Sequence, residues 1–103
     1  MTETFATTAT LWLWTTDKAP ASWHFLTIEG EVADDIRLAA LMTYGKRRGF
    51  GSVKVTATIR ETSWSTSLFP HKESGGWILP VKASVRKAQG LIAGDEVAVV
   101  LRV

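Results

Sequence analysis

Strict alternation of apolar and polar side chains marks two segments of this 103-residue chain, 52–60 and 96–103. An aliphatic residue occupies every second position in both segments, and most of the intervening residues are charged or hydroxylated. Because successive side chains of a strand point to opposite faces, each segment is predicted to be a strand with one buried face. The apolar positions are Val53, Val55, Ala57 and Ile59 in the first segment and Val97, Val99, Leu101 and Val103 in the second.

The N-terminal part of the chain predicts a hairpin. Residues 4–15 are rich in Thr and Trp and contain no Gly or Pro, which is typical of a long strand. Residues 17–20 predict a turn, because the proline restricts the residues before it, and 22–28 predict the second strand. Leu11 and Leu13 share one face of the first strand, so we expect them to be buried together.

Two more strands and two helices complete the pattern. Residues 62–69 are predicted to pair with 52–60 through a turn at Glu61-Thr62, and 77–81 form a short strand that Pro80 places at an edge, a bulge or its own end. Apolar residues recur at helical spacing from Val32 to about Met42.

The second helix is predicted at 84–89. Gly90 then stands where a left-handed cap is needed, and Gly94-Asp95 form a tight turn before the last strand.

About six strands with alternate apolar faces bury those faces best by closing into a barrel. We therefore predict a mainly β protein, a small closed barrel of about six strands with two short helices. A chain of 103 residues has room for a single domain, predicted to span 1–103.

Composition limits the kinds of binding, metal ligation and location that the protein can have. The formal net charge of +2 is too small to indicate nucleic-acid binding by itself. The chain has no cysteine, which excludes disulfides and cysteine-ligated metals. No secretory signal and no apolar run near the ~20 residues of a membrane helix are visible, so we expect a cytoplasmic protein that does not bind membranes.

No catalytic arrangement is recognisable. His24 and His71 are far apart in sequence and are expected to be a strand histidine and a solvated loop histidine rather than metal ligands. The alternating serines of 62–69 and the adjacent carboxylates at 34–35 and 95–96 do not form a nucleophile or an acid–base pair. We predict no catalytic residue, no metal site and no cofactor, and an enzyme is the least favoured class.

Three segments resemble a known family. Arg48-Gly49-Phe50-Gly51-Ser52-Val53-Lys54-Val55, Trp64 to Pro70, and Leu79 to Ala88 look like bacterial proteins of the uncharacterised-domain family 1905 (DUF1905). The resemblance covers nearly the whole chain. It implies a double-split β-barrel and no particular activity.

A more local resemblance involves the segment from Arg86 to Gly94-Asp95, which is similar to the AbrB/MazE/MraZ-like barrels. Those barrels pair two short chains, and this chain is about twice as long. Asp35-Ile36-Arg37 is similar to Ser84-Val85-Arg86, so an internal duplication and an unrepeated barrel both remain open.

Five tryptophans are the most unusual feature of the composition. Trp23, Trp64 and Trp77 are expected to fill the core. Trp12 and Trp14 face away from Leu11 and Leu13. They either form an exposed interaction surface or lie in a strand that is buried on both sides.

The basic residues fall into two clusters, Lys46-Arg47-Arg48 and Lys82/Arg86/Lys87. They either form an anion-binding face, with Phe50 or Trp64 as a stacking platform, or are solvated. The candidate ligand-binding residues are Trp12, Trp14, Trp64, Arg86, Lys46, Arg47 and Arg48.

Two functions follow from these residues. The first is a non-enzymatic module that binds a small ligand, a peptide or a protein, which the tryptophan content favours. The second is a DNA-binding barrel regulator, by analogy with the AbrB-like barrels. We expect an unknown small ligand or protein as the partner, and a monomer or a homodimer.

Overall fold

The computed structural model describes residues 3–44 and 51–103 and contains six strands and two helices in this part of the chain. The order along the chain matches the sequence pattern. The strands are β1 (Thr4–Thr16), β2 (Ala19–Ile28), β3 (Val53–Ile59), β4 (Thr62–His71), β5 (Gly76–Pro80) and β6 (Glu96–Arg102); the helices are α1 (Glu31–Tyr44) and α2 (Ala83–Gln89).

The strands form a closed antiparallel barrel in the order β1-β2-β5-β4-β3-β6, which confirms the predicted fold class. β1 closes it, because its first half pairs with β6 (Thr4 opposite Arg102) and its second half with β2 (Leu11 opposite Leu26). The amide of Val103 also donates to the carbonyl of Glu3 over 2.9 Å. The first and last described segments are therefore neighbours in the sheet.

The core is the inward face of every strand, as the alternation predicted for β3 and β6. Their inward residues are buried, as are Trp64 and Trp77. Helix α1 packs against the barrel through Ala33 and Ile36, and the indole of Trp77 donates to the carbonyl of Ala33 over 3.1 Å. This hydrogen bond ties α1 to β5. Neither helix in the described part of the chain combines the length and apolar character needed to cross a bilayer.

Two glycines are fixed by the backbone around them. Gly90 has φ 63° and ends α2 in the left-handed conformation, as the sequence predicted. Gly76 begins β5 so close to β2 that a Cβ atom added there would lie 2.0 Å from the carbonyl oxygen of Ile28. No side chain other than hydrogen fits at that position.

The hairpin turns differ by a few residues from the prediction. The first turn is only Asp17-Lys18, so β2 begins at Ala19 rather than at 22. The second turn is Arg60-Glu61 rather than Glu61-Thr62, because Ile59 and Thr62 already pair. Arg60 has a positive φ of 56°, which the tight two-residue turn requires.

Two predicted core residues are exposed: Trp23 by 51% and Leu13 by 46%. The cause is the shape of the barrel at the outer end of the β1–β2 hairpin. β6 pairs with β1 only as far as Thr10, and β5 pairs with β2 only from Phe25 onward. Beyond these points the hairpin has fewer neighbours, so its side chains meet solvent although their sequence pattern is that of a core strand.

Candidate functional site

A groove of about 880 Å³ crosses the outside of the barrel over β4. Residues from β2, β3, β4, β6 and the end of β5 line it, and we call it the outer groove. Its side chains that alternate with the core residues, and so lie on the outer face, are Trp23, Lys54, Thr56, Ser65, Ser67, Phe69, Pro80, Lys82 and Arg102.

Strand register brings the polar side chains of the outer groove together. Lys54 on β3 lies opposite Ser67 on β4, and Thr56 lies opposite Ser65. Thr56 also lies opposite Arg102 on β6. Because paired residues of adjacent strands share a face, these five side chains form one continuous patch of hydroxyls and cations.

Aromatic side chains form the other side of the outer groove. Trp23 is half exposed and lies parallel to Phe25, with an interplanar angle of 4° and ring centroids 6.2 Å apart. Phe69 is 42% exposed. The amide of Val81 donates to the carbonyl of His24 over 2.9 Å, which continues the register of β5 past Pro80 and brings Lys82 alongside Trp23.

The charged side chains that line the outer groove are all cationic. Lys54, Lys82 and Arg102 are exposed, and none of the described residues that line the groove is acidic. The ion pairs between described residues lie elsewhere, at Arg37–Asp34 and His71–Glu73. The groove therefore combines a positive potential with aromatic and apolar surface.

Of the four predicted site residues that the structure describes, Trp12, Trp14, Trp64 and Arg86, only Trp64 lines the outer groove. Trp64 is buried beneath its floor and exposes too little of its ring to act as a stacking platform. Trp12 is half-buried, donates to the hydroxyl of Thr27 over 2.8 Å, and lies 5.2 Å from the ring of Phe25. Trp14 is 42% exposed and pairs with Trp23 without lining the groove.

The basic candidates have different positions. Arg86 is half-buried and donates from Nε to the carbonyl of Val81 over 3.1 Å, so it holds the junction between β5 and α2 and lies outside the residues that line the groove. Lys46, Arg47 and Arg48 lie outside the described residues. Ligand binding by these four residues stays a prediction.

The two histidines lie in different surroundings. Burial lowers the pKa of His24, and the positive charge of Arg86 lowers it further. The Nδ1 atom of His24 is buried without a hydrogen-bond partner among the described residues. The neutral imidazole is therefore the form that the fold favours at this position.

His71 is not the solvated loop histidine that the sequence predicted. It ends β4, and its side chain is 20% exposed. Its Nδ1 atom lies 2.9 Å from the hydroxyl of Ser74, its Nε2 atom 3.3 Å from Glu73, and its ring 6.2 Å from Trp12. The hydroxyl of Ser74 also accepts from the amide of Gly76, so these contacts shape the turn between β4 and β5.

Metal binding receives no support from the described part of the chain, where no three His, Asp or Glu side chains cluster closely enough to hold an ion. Among the main lining residues of the outer groove, the sequence pattern did not single out Lys54, Phe69 and Arg102, placed Trp23 in the core, and gave Lys82 only as part of a basic cluster. The available signal was the polar face of β3 and β4, which alternates with the core face. Its side chains are brought together with the other lining residues only because the strand order places β5 and β6 on the two sides of the β3–β4 pair.

The model of a protein family described as "Domain of unknown function (DUF1905)" matches residues 8–101. The chain belongs to the DUF1905 family. This confirms the resemblance found in the sequence, whereas a relation to the AbrB/MazE/MraZ-like barrels stays a prediction. The matched region of this DUF1905 protein contains the outer groove except for Arg102 and Val103. None of the curated proteins is a significant match.

Proposed function

We propose that this DUF1905 protein is a non-enzymatic binding module that holds a small organic anion in the outer groove. The observation that carries the proposal is the composition of the groove. Three cations and three hydroxyls lie beside two exposed aromatic rings, and no described lining residue is acidic. Ligand sites combine apolar contact area with a few polar groups that fix orientation, and this groove has both.

Charge favours an anion over a neutral ligand. Lys54 and Arg102 lie on adjacent strands without an acidic side chain among the described lining residues to neutralise them. Their mutual repulsion is relieved when a negative group binds between them. The groove is wide and open to solvent on the barrel surface, so binding is expected to weaken with added salt.

The test compares a charged probe with its neutral counterpart. Isothermal titration calorimetry with naphthalene sulfonate and naphthyl methanol measures the two affinities at low salt. We expect the sulfonate to bind about tenfold more tightly, since hydrogen bonds to charged groups contribute more than neutral ones. This preference should disappear in the double variant Lys54→Gln/Arg102→Gln.

A matched control removes the same charge elsewhere. Lys72 and Lys87 are exposed and do not line the outer groove, so Lys72→Gln/Lys87→Gln should leave sulfonate binding unchanged. Equal affinity for the two probes, or equal losses in the two double variants, would contradict the proposal.

DNA binding by Arg86 and Lys46-Arg47-Arg48 stays an alternative prediction without a specific observation in its favour. Arg86 already bonds to Val81, and the other three residues lie outside the described part of the chain. An electrophoretic shift of a DNA duplex at low salt that survives Lys54→Gln/Arg102→Gln would support that alternative over the groove.

A further inference from the structure

We infer that the outer groove recognises a ligand with two separated parts, a planar ring at Trp23 and a phosphate group between Lys54 and Arg102. The ligand class that combines these parts is the nucleotide. This inference rests on the proposed function and narrows it from organic anions in general to ring-bearing phosphates.

The phosphate end follows from strand register. Thr56 pairs with Arg102, and Lys54 precedes Thr56 by two residues, so Lys54 and Arg102 are diagonal neighbours on β3 and β6. Such neighbours are about 7–8 Å apart, which long cationic side chains bridge easily. Thr56, which lies opposite Arg102 and two residues from Lys54, adds a hydroxyl to the same face. Two cations and a hydroxyl suit the several oxygens and the double charge of a phosphate monoester.

The ring end follows from the position of Trp23. Its indole is held parallel to Phe25 and is half exposed, so it offers an ordered aromatic surface to a flat ligand. Phe69 and Pro80 add apolar surface to the same groove. Lys82 also lines the groove, and the backbone register places it next to Trp23.

The separation of the two ends argues against a compact aromatic acid. The path across the groove from Trp23 on β2 to Arg102 on β6 crosses β5, β4 and β3, which amounts to four strand spacings along this side of the barrel. At about 4.8 Å per spacing, their backbones are roughly 19 Å apart along the surface. Even after both side chains reach inward, a single ring carrying one acid group does not contact both. A base joined to a phosphate through a sugar has the required length.

The experiment compares adenosine monophosphate, adenosine and inorganic phosphate by isothermal titration calorimetry on the intact chain. Adenosine monophosphate is expected to bind at least about tenfold more tightly than either fragment, because it engages both ends of the groove. Arg102→Gln should lower its affinity to that of adenosine, and Trp23→Leu should lower it to that of phosphate, each a loss of about tenfold.

The matched control for Trp23→Leu is Trp14→Leu. Trp14 is exposed to a similar extent and pairs with Trp23, but it does not line the outer groove. It should leave the affinity for adenosine monophosphate unchanged. A fall of equal size in the two tryptophan variants would overturn the assignment of the ring to Trp23.

The two proposals fail in different ways. If adenosine monophosphate binds no more tightly than phosphate while naphthalene sulfonate still binds through Lys54 and Arg102, the nucleotide inference is wrong and the anion-binding function stands. If neither adenosine monophosphate nor naphthalene sulfonate binds at low salt, both are wrong.

Discussion

Replacing Gly76 by alanine is the sharpest test of how β5 joins the barrel. The added Cβ atom would lie 2.0 Å from the carbonyl oxygen of Ile28 and 3.0 Å from the Cα atom of Glu29, whereas ordinary contacts begin near 3.4 Å. The atoms in the way belong to the backbone, so no rotamer change relieves the clash. β2 and β5 would have to separate by more than an ångström.

The cost of that separation is estimated from overpacking. Extra methyl groups in packed cores cost about 1–3 kcal/mol, and a clash with backbone lies at the upper end or beyond. We therefore expect Gly76→Ala to lower the free energy of unfolding by about 3 kcal/mol or more. For a domain of this size, that corresponds to a fall in Tm of about 12 °C or more. Urea unfolding followed by circular dichroism measures the free energy, and a thermal scan measures Tm.

The neighbouring glycine is the control. Gly75 has φ 76° but no atom within 4 Å of an added Cβ, so alanine there costs only backbone strain of about 1–2 kcal/mol. Gly76→Ala is therefore expected to be clearly the less stable of the two variants. If both variants lose the same stability, or if Gly76→Ala is as stable as the parent chain, the close approach of β5 to β2 is wrong.

Three further predictions concern the core and its pH dependence. Burial holds the pKa of His24 below 6.5 in the folded chain, so below that pH the folded state binds fewer protons than the unfolded state. The free energy of unfolding should therefore be full above pH 6.5 and fall below it. Urea midpoints of the parent chain and of His24→Gln, measured on both sides of pH 6.5, should differ in their pH dependence only if this is correct. Leu101→Ala should lower the free energy of unfolding by about 2–5 kcal/mol, because this side chain is fully buried. Leu13→Ala should lower it by less than about 1 kcal/mol, because Leu13 is half exposed. Equal losses in urea unfolding would contradict the described core. Trp77→Phe removes the indole donor to the carbonyl of Ala33 and should cost about 1 kcal/mol; unchanged amide exchange in α1 would count against that hydrogen bond.

The sequence alone was sufficient for the elements and the fold class. Alternation identified the buried faces of β3 and β6, and helical spacing identified α1, because both patterns depend only on which side of an element meets the core. Gly90 was predicted to be a left-handed cap for an equally local reason. Rules that depend only on neighbouring residues in the sequence therefore predicted most of the fold.

Trp23 shows where local rules were insufficient. Its alternation with His24 and its size favour the core, yet its exposure depends on where β5 stops pairing with β2. The residue at which this pairing ends depends on the packing of α2 and the course of the chain after Pro80. Neither can be predicted from residues 22–28. Hydrophobicity predicted burial correctly only where neighbouring strands cover both edges of the hairpin.

The outer groove was beyond prediction for a similar reason. Lys54, Ser67 and Arg102 are ordinary solvent-facing residues when each strand is considered alone. They lie together in the outer groove because β3 lies between β4 and β6 in the barrel. Strand order is a long-range property, and six strands allow many orders that satisfy the same alternation.

The pairing of β1 with β6 also governs how the barrel assembles. Thr4 and Arg102 are neighbours in the sheet although almost the whole chain separates them, so closure joins the segments that are farthest apart in sequence. Contacts of this kind have a large entropy cost of loop closure and therefore slow folding. Similar β proteins fold in milliseconds to seconds. The β3–β4 hairpin, joined by a two-residue turn, can form early. During synthesis the last strand must leave the ribosome before β1 acquires its second partner, and until then the edge of β1 that β6 covers in the native barrel is open to other chains.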